Sequence, residues 1–182
     1  MDELIDLVDE FGNLTGEVCM KSKAHRLGLW HLCVDIWLYT DSGEIVIQKR
    51  VANKDVFPNL WDVSVAGHVG AGESPLNAAY RELEEELGLN IPLENLNFIG
   101  NSKSSHKQNE QLTDKEFHHI YIARFNGSID NLILQTEEVS EIRLVSINEL
   151  KNKLLDTKFK EEFVPYSDMY FSMVFKAIEF VI

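Results

Sequence analysis

Cysteine is scarce: two residues in 182, Cys19 and Cys33. Neither has a partner at metal or redox spacing, so no disulfide framework is expected and both thiols suit a reducing compartment. Positive charge is also short, with 17 Lys and Arg against 30 Asp and Glu, a net charge of −13. Phosphate backbones need basic surface, so duplex or single-stranded nucleic acid is not an expected partner. A small phosphorylated molecule is still admitted, because metal ions can supply the missing positive charge. No run is apolar and long enough to span a membrane. The opening MDELIDLVDE has neither the basic start nor the apolar run of a secretory signal, so a cytoplasmic location without a membrane partner is expected. Internal repeats, low-complexity tracts and linkers are lacking too. With 45% hydrophobic residues, the length suits one domain over 1–182 with a proper core.

What the chain does have is a dense acidic helix. Ser74-Pro75 before RELEEELG and Gly88 at its end are start and stop signals, which predicts a helix over 75–87. Glu82, Glu85 and Glu86 stand at i, i+3 and i+4 on one face, and Glu84 points away. Leu76, Ala79, Tyr80, Leu83 and Leu87 form the apolar stripe opposite. No cation follows four residues after Glu82 or Glu86, since position 86 is Glu and position 90 is Asn. Two readings fit this face: a solvated acidic surface, or a nest of hard oxygen ligands for magnesium or manganese.

The surrounding stretch decides between them. From Gly67 to Leu89 it reads GHVGAGESPLNAAYRELEEELGL. Gly67, Glu73, Arg81, Glu82, Leu83, Glu85, Glu86, Gly88 and Leu89 meet every specified position of the Nudix box, and the stretch closely resembles that family. Glycines 67, 70 and 72 feed the helix N-terminus, let backbone approach a ligand and offer N–H groups to anions. Glu73 and Arg81 can pair across the loop–helix junction, a structural role. The constellation suits a diphosphate, with metals neutralising charge while water attacks phosphorus. The resemblance implies an α/β fold, an αβα sandwich with a mixed β-sheet. It also implies a metal-dependent hydrolase of a diphosphate linked to a group X. Glu82, Glu85, Glu86 and the Gly67 carbonyl are the expected metal ligands, for Mg2+ or Mn2+. Glu85→Gln is expected to abolish turnover with little loss of folding, the acidic face being solvated.

The rest of the chain reads as alternating elements. Residues 3–9 and 16–21 look like a hairpin around Glu10-Phe11-Gly12-Asn13. Residues 31–40 alternate, with Leu32, Val34, Ile36 and Leu38 on one face and His31, Cys33, Asp35, Trp37 and Tyr39 on the other. Strands are expected at 44–50, 61–66, 95–102, 116–125 and 139–146, and helices near 147–155 and from 167 onward. Residues 103–115, KSSHKQNEQLTDK, read as a polar loop. In the last helix Ser172, Lys176 and Glu179 form a narrow polar stripe, so it is expected to dock on the core, with a homodimer contact as the other reading.

Upstream of the box the chain also resembles the isopentenyl-diphosphate isomerases, which share the Nudix fold. His25, His31 and His68 match their metal-binding histidines, with one residue less between the first two. Glu116 matches one acidic ligand and Asp114 is a candidate for the other. Lys49, Arg50 and Lys54 form a basic cluster that is either surface charge or a grip on phosphate, and Arg50 and Lys54 match phosphate contacts of the isomerases. Glu116 and His118 share a strand face, and Glu116 competes with Glu82 as general base; His106 and His119 are expected at the surface or in structural roles. Where the isomerases carry a catalytic cysteine, this chain has Ala66, and an alanine relays no proton. The intact box and Ala66 together favour hydrolysis over isomerisation. A non-catalytic module that binds a nucleotide is the third reading.

Overall fold

The acidic helix forms over Pro75–Leu87 (α2) with its signals in place. Ser74 accepts from the Asn77 N–H, Pro75 occupies the first turn, and Gly88 closes the helix at φ 64°. Ala78, Ala79, Leu83 and Leu87 are buried on the sheet. The acidic face is less wet than expected: Glu82 and Glu86 are buried, and only Glu84 and Glu85 are exposed. Arg81 itself supplies the cation four residues before Glu85.

This computed structural model describes residues 2–182. The strand His31–Tyr39 (β3) is the hub. Leu4–Val8 (β1) meets it at Leu7–His31, and Leu14–Met20 (β2) completes the opening hairpin. On one side β3 runs parallel to Leu112–Arg124 (β8), and β8 pairs antiparallel with Asn97–Asn109 (β7). On the other side Val65–His68 (β6) pairs with Cys33–Ile36, while Glu44–Arg50 (β4) meets β3 only at Tyr39–Ile45. β1, β6 and β4 thus follow one another along one edge of β3, and the sheet opens between β6 and β4. The strand Val139–Ser146 (β9) and the short Trp61–Asp62 (β5) continue from β4.

The alternation along β3 sorts the core. Val34, Ile36 and Leu38 pack under α2 with Val46, Val65 and Tyr121. Trp37 and Tyr39 pack on the opposite side beneath Asp168–Val181 (α5), against Tyr170, Phe171, Val174, Phe175 and Ile178. The last helix therefore docks on the core, as its narrow polar stripe predicts. Helices cover both faces of a mixed sheet, the expected fold class. Among the described residues no helix is long and apolar enough to cross a membrane.

Two elements differ from what the sequence patterns indicate. Residues 103–115 are not a loop but the far end of the β7–β8 hairpin, paired to Asn109–Leu112. One face of this ribbon meets water and the other a polar cavity, so neither needs apolar residues and the usual alternation is absent. Second, Lys21–Leu27 forms a helix (α1) where the sequence shows no capping residue. Burial of Ala24 and His25 and a left-handed Gly28 hold it in place of local signals.

Candidate active site

The opening in the sheet leads to a cavity of about 1250 Å³. From β4, β5 and the segments around them come Arg50, Lys54 and Asp62; from β6, Ala66, Gly67 and His68; from α2, Arg81, Glu82, Glu85 and Glu86. The β8 face supplies Asp114, Glu116 and His118, and β3 supplies Cys33 and Asp35.

Gly67 is required by close approach. A Cβ there would lie 2.1 Å from the Glu82 Cδ, so the carboxylate rests directly on the backbone. Arg81 clamps the α2 cluster. Its Nη1 donates to Glu82 (2.7 Å) and Glu85 (3.0 Å), its Nε and Nη2 donate to Glu73 (3.1 and 3.0 Å), and Nη2 also reaches the His68 carbonyl. The junction pair expected between Glu73 and Arg81 is thus formed. Burial raises the Glu82 carboxyl above its usual range against the pull of Arg81. Burial, with Glu82 beside it, pushes Glu86 up to about 8, while Gln48 donates to it at 3.0 Å. Lys54 and Arg50 pull the other way without outweighing burial.

The histidines converge on a second cluster. The rings of His25, His31 and His68 lie 5.1–5.4 Å apart. The Nε2 of all three, and the Oδ1 of Asp114, are buried without a hydrogen-bond partner. The Nδ1 of His31 lies 3.0 Å from the Leu29 carbonyl, which fixes the proton there and leaves the Nε2 lone pair facing the cluster. Burial lowers all three imidazoles, His25 to about 4, so they are neutral and able to ligate. Burial raises Asp114 to about 8, with Glu116 adding to it. Glu116 is pushed up by burial too, but the charged His118, helped by the Cys33 Sγ–H bond, outweighs that and holds it below its usual range. Unpartnered donors of this kind fit a divalent cation.

The basic cluster divides. Arg50 donates to Asp62 (2.9 Å) and to the Val56 carbonyl, so its guanidinium braces the cavity wall. Lys54 faces the cavity, paired with Glu138. Lys49 turns to the other face of β4, 5.6 Å over the Trp61 ring, and does not line the cavity. His106, expected at the surface or in a structural role, lines the cavity and packs edge-on against Phe57; His119 lies against Phe98. Sequence reasoning gave no role to Cys33, Asp35, Asp62 or Tyr166. The first two share the strand face of His31, a signal the alternation carried. Asp62 and Tyr166, hydrogen-bonded to each other at 2.8 Å, sit in segments with no such periodicity.

His118 and Asp35 form a buried ion pair at 3.1 Å. Burial alone would lower His118, but Asp35, then Glu116 and Asp114, raise it from 6.5 to about 9. A raised folded-state value contributes stability that is complete below about pH 6.5 and is lost as pH rises through 9. The scale is about 3 kcal/mol. Urea midpoints of the wild type and His118→Gln should differ most at pH 6 and converge above pH 9.

The NUDIX domain model matches residues 29–166. The chain belongs to the Nudix family. This Nudix chain is 32% identical to a Nudix hydrolase of Clostridium acetobutylicum over 97% of each chain. An isopentenyl-diphosphate delta-isomerase of Photorhabdus laumondii is 32% identical, covering 83% of this chain and 81% of that one. A crystal structure from Deinococcus radiodurans superposes with a TM-score of 0.63 at 26% identity, covering 84% of this chain and 89% of that one. Family membership and these relatives make the chain a Nudix hydrolase acting on diphosphate bonds, in the isomerase-like subgroup.

Proposed function

We propose that the cavity hydrolyses a diphosphate linked to another group in a divalent-metal-dependent reaction. The observation that carries this is the set of box carboxylates turned inward beside Gly67, in a cavity too acidic to admit a diphosphate alone. Glu82, Glu85, Glu86 and the Gly67 carbonyl would hold Mg2+ or Mn2+, and His25, His31 and His68 would supply nitrogen ligands to a softer ion such as Mn2+ or Zn2+ in the second cluster. The cation, when bound, neutralises the phosphate oxygens and makes phosphorus open to attack. Lys54 contacts a phosphate, Arg50 fixes the wall behind it, and Arg81 with Glu73 holds the carboxylates in position. Glu116 or Glu82 takes the proton of the attacking water, and a phosphorylated product leaves with phosphate or a second phosphorylated piece.

Isomerisation of a prenyl diphosphate is the second reading, favoured by the histidine cluster. Ala66 in the cavity wall opposes it, having no proton to give or take. A panel of diphosphates, including isopentenyl diphosphate, tests all the readings at once. Phosphate release with Mg2+ or Mn2+, and none after chelation, is expected. Dimethylallyl product would establish the isomerase instead. Tight binding of one compound with no turnover of any would establish a binding module.

A further inference from the structure

We propose that Cys33 is a metal ligand, forming with His31, His68 and Glu116 a thiolate-containing seat for zinc, distinct in chemistry from the oxygen seat on α2. This rests on reading the histidine cluster as a metal centre, and adds a ligand that defines which metal that centre takes.

The register builds the seat. Cys33 is directly opposite His68 across β3 and β6, and His31 is directly opposite Glu116 across β3 and β8. Directly opposed residues share a sheet face, and His31 and Cys33, two apart, share it as well. One ligand atom from each of the four lies within 4.8 Å of the other three. Cys33 Sγ is 2.7 Å from Glu116 Oε1, and His68 and His31 Nε2 are 3.5 and 3.9 Å from that same oxygen. Ligands at ~2.0–2.3 Å around a tetrahedral zinc stand about 3.3–3.8 Å apart, so closing the seat takes shifts of well under the length of a bond.

The surroundings single out this thiol. A buried cysteine is ordinarily a small hydrophobe. Cys19 is one, packed with Ile5, Leu7 and Ala24. Cys33 is in none of the three apolar clusters. It faces His31, which is fully buried with Nε2 unpartnered, and His68, whose Nε2 is likewise unpartnered. Two imidazoles, a thiolate and a carboxylate are a borderline-soft set that magnesium and calcium disfavour and zinc favours. As the metal–sulfur bond forms, the Sγ–H bond now directed at Glu116 breaks and its proton passes to the buffer.

Cobalt(II) is the probe, substituted into chelator-stripped protein without substrate. Wild type and Cys19→Ala should show a thiolate-to-cobalt charge-transfer band together with visible ligand-field bands. Cys33→Ala and Cys33→Ser should lose the charge-transfer band. Zinc affinity, from competition with a chromophoric chelator, should fall at least about tenfold in both, the floor set by losing even an outer-shell partner. The serine variant keeps the side-chain volume, and circular dichroism of both variants reports their folding. Cobalt bands without the sulfur band in wild type would overturn the role of Cys33 and leave the histidine centre standing. No cobalt uptake at all would overturn both. Hydrolysis is not read in any arm, so the diphosphate reaction stands or falls separately.

Discussion

Glu85→Gln and Glu86→Gln should each cut metal-dependent turnover by about 10²–10³-fold, the scale of removing one preorganised electrostatic contact, yet they should move stability differently. The Glu85 side chain is 48% exposed and gives up only a partly solvated bond to Arg81, so its loss changes metal-free stability by about 0.5 kcal/mol or less. Glu86 is 3% exposed, and burial raises its carboxyl to about 8. An acid whose folded-state value lies above its unfolded one is a liability that grows as pH rises from about 4.5 to 8. Glutamine keeps the shape and the contact with Gln48 without the charge. Metal-free Glu86→Gln should therefore be more stable than wild type by about 1–3 kcal/mol at pH 8, with the gain gone near pH 4.5. Saturating Mg2+ or Mn2+ should reverse the order, because only wild type gains by binding. Thermal melts at two pH values, with and without metal, read all of this. A Glu86→Gln protein that is less stable at pH 8 without metal would show that its carboxylate is already paid for inside the fold. Full activity in Glu85→Gln would remove the box from the reaction.

Arg81→Met should be the most damaging single change in the site. Its guanidinium joins three carboxylates and the His68 carbonyl. Methionine fills the same space but leaves Glu82, 8% exposed, with no counter-charge, and frees Glu73, whose Oε2 also accepts from the Gly70 N–H in the glycine loop. Breaking a buried pair costs 3–5 kcal/mol; Arg81 keeps 31% of its side chain in solvent, so about 2–3 kcal/mol is expected. For a chain of this size that lowers Tm by roughly 5–10 °C. Turnover should fall with it, since loop and carboxylates lose their common brace. Arg81→Lys should recover little, because a point charge does not span Glu73 and Glu82 as a fork does. A melting curve unchanged in Arg81→Met would show that the cluster holds itself by other means.

Both predictions draw on a motif legible in the sequence and on burial that is not. The order of glycine, glutamate and arginine from Gly67 to Leu89 specified the loop, the helix and which carboxylates share a face. Which of them reach water depended on β4 and β6 opening away from one another, so that Gln48 meets Glu86 from a strand 38 residues distant. The polar ribbon at 103–115 carries no strand signal for a related reason. Its inner face lines a cavity made by other elements, and a strand between water and a polar cavity carries no hydrophobic period. Asp114 enters the site only because that ribbon is a strand.

The sequence by itself determined the helix and its caps, the alternation along β3, the docking of the final helix and the chemistry of the box. These follow from backbone periodicity and fixed short spacings, which one stretch of chain contains in full. Only the tertiary structure decided that three imidazoles, a thiol and two carboxylates from four separate elements face one another, with the three imidazole Nε2 atoms and Asp114 Oδ1 left without hydrogen-bond partners, and that Lys49 turns away while Lys54 faces inward. Those facts depend on strand register and on how far the sheet opens, which are set by packing between segments far apart in the chain.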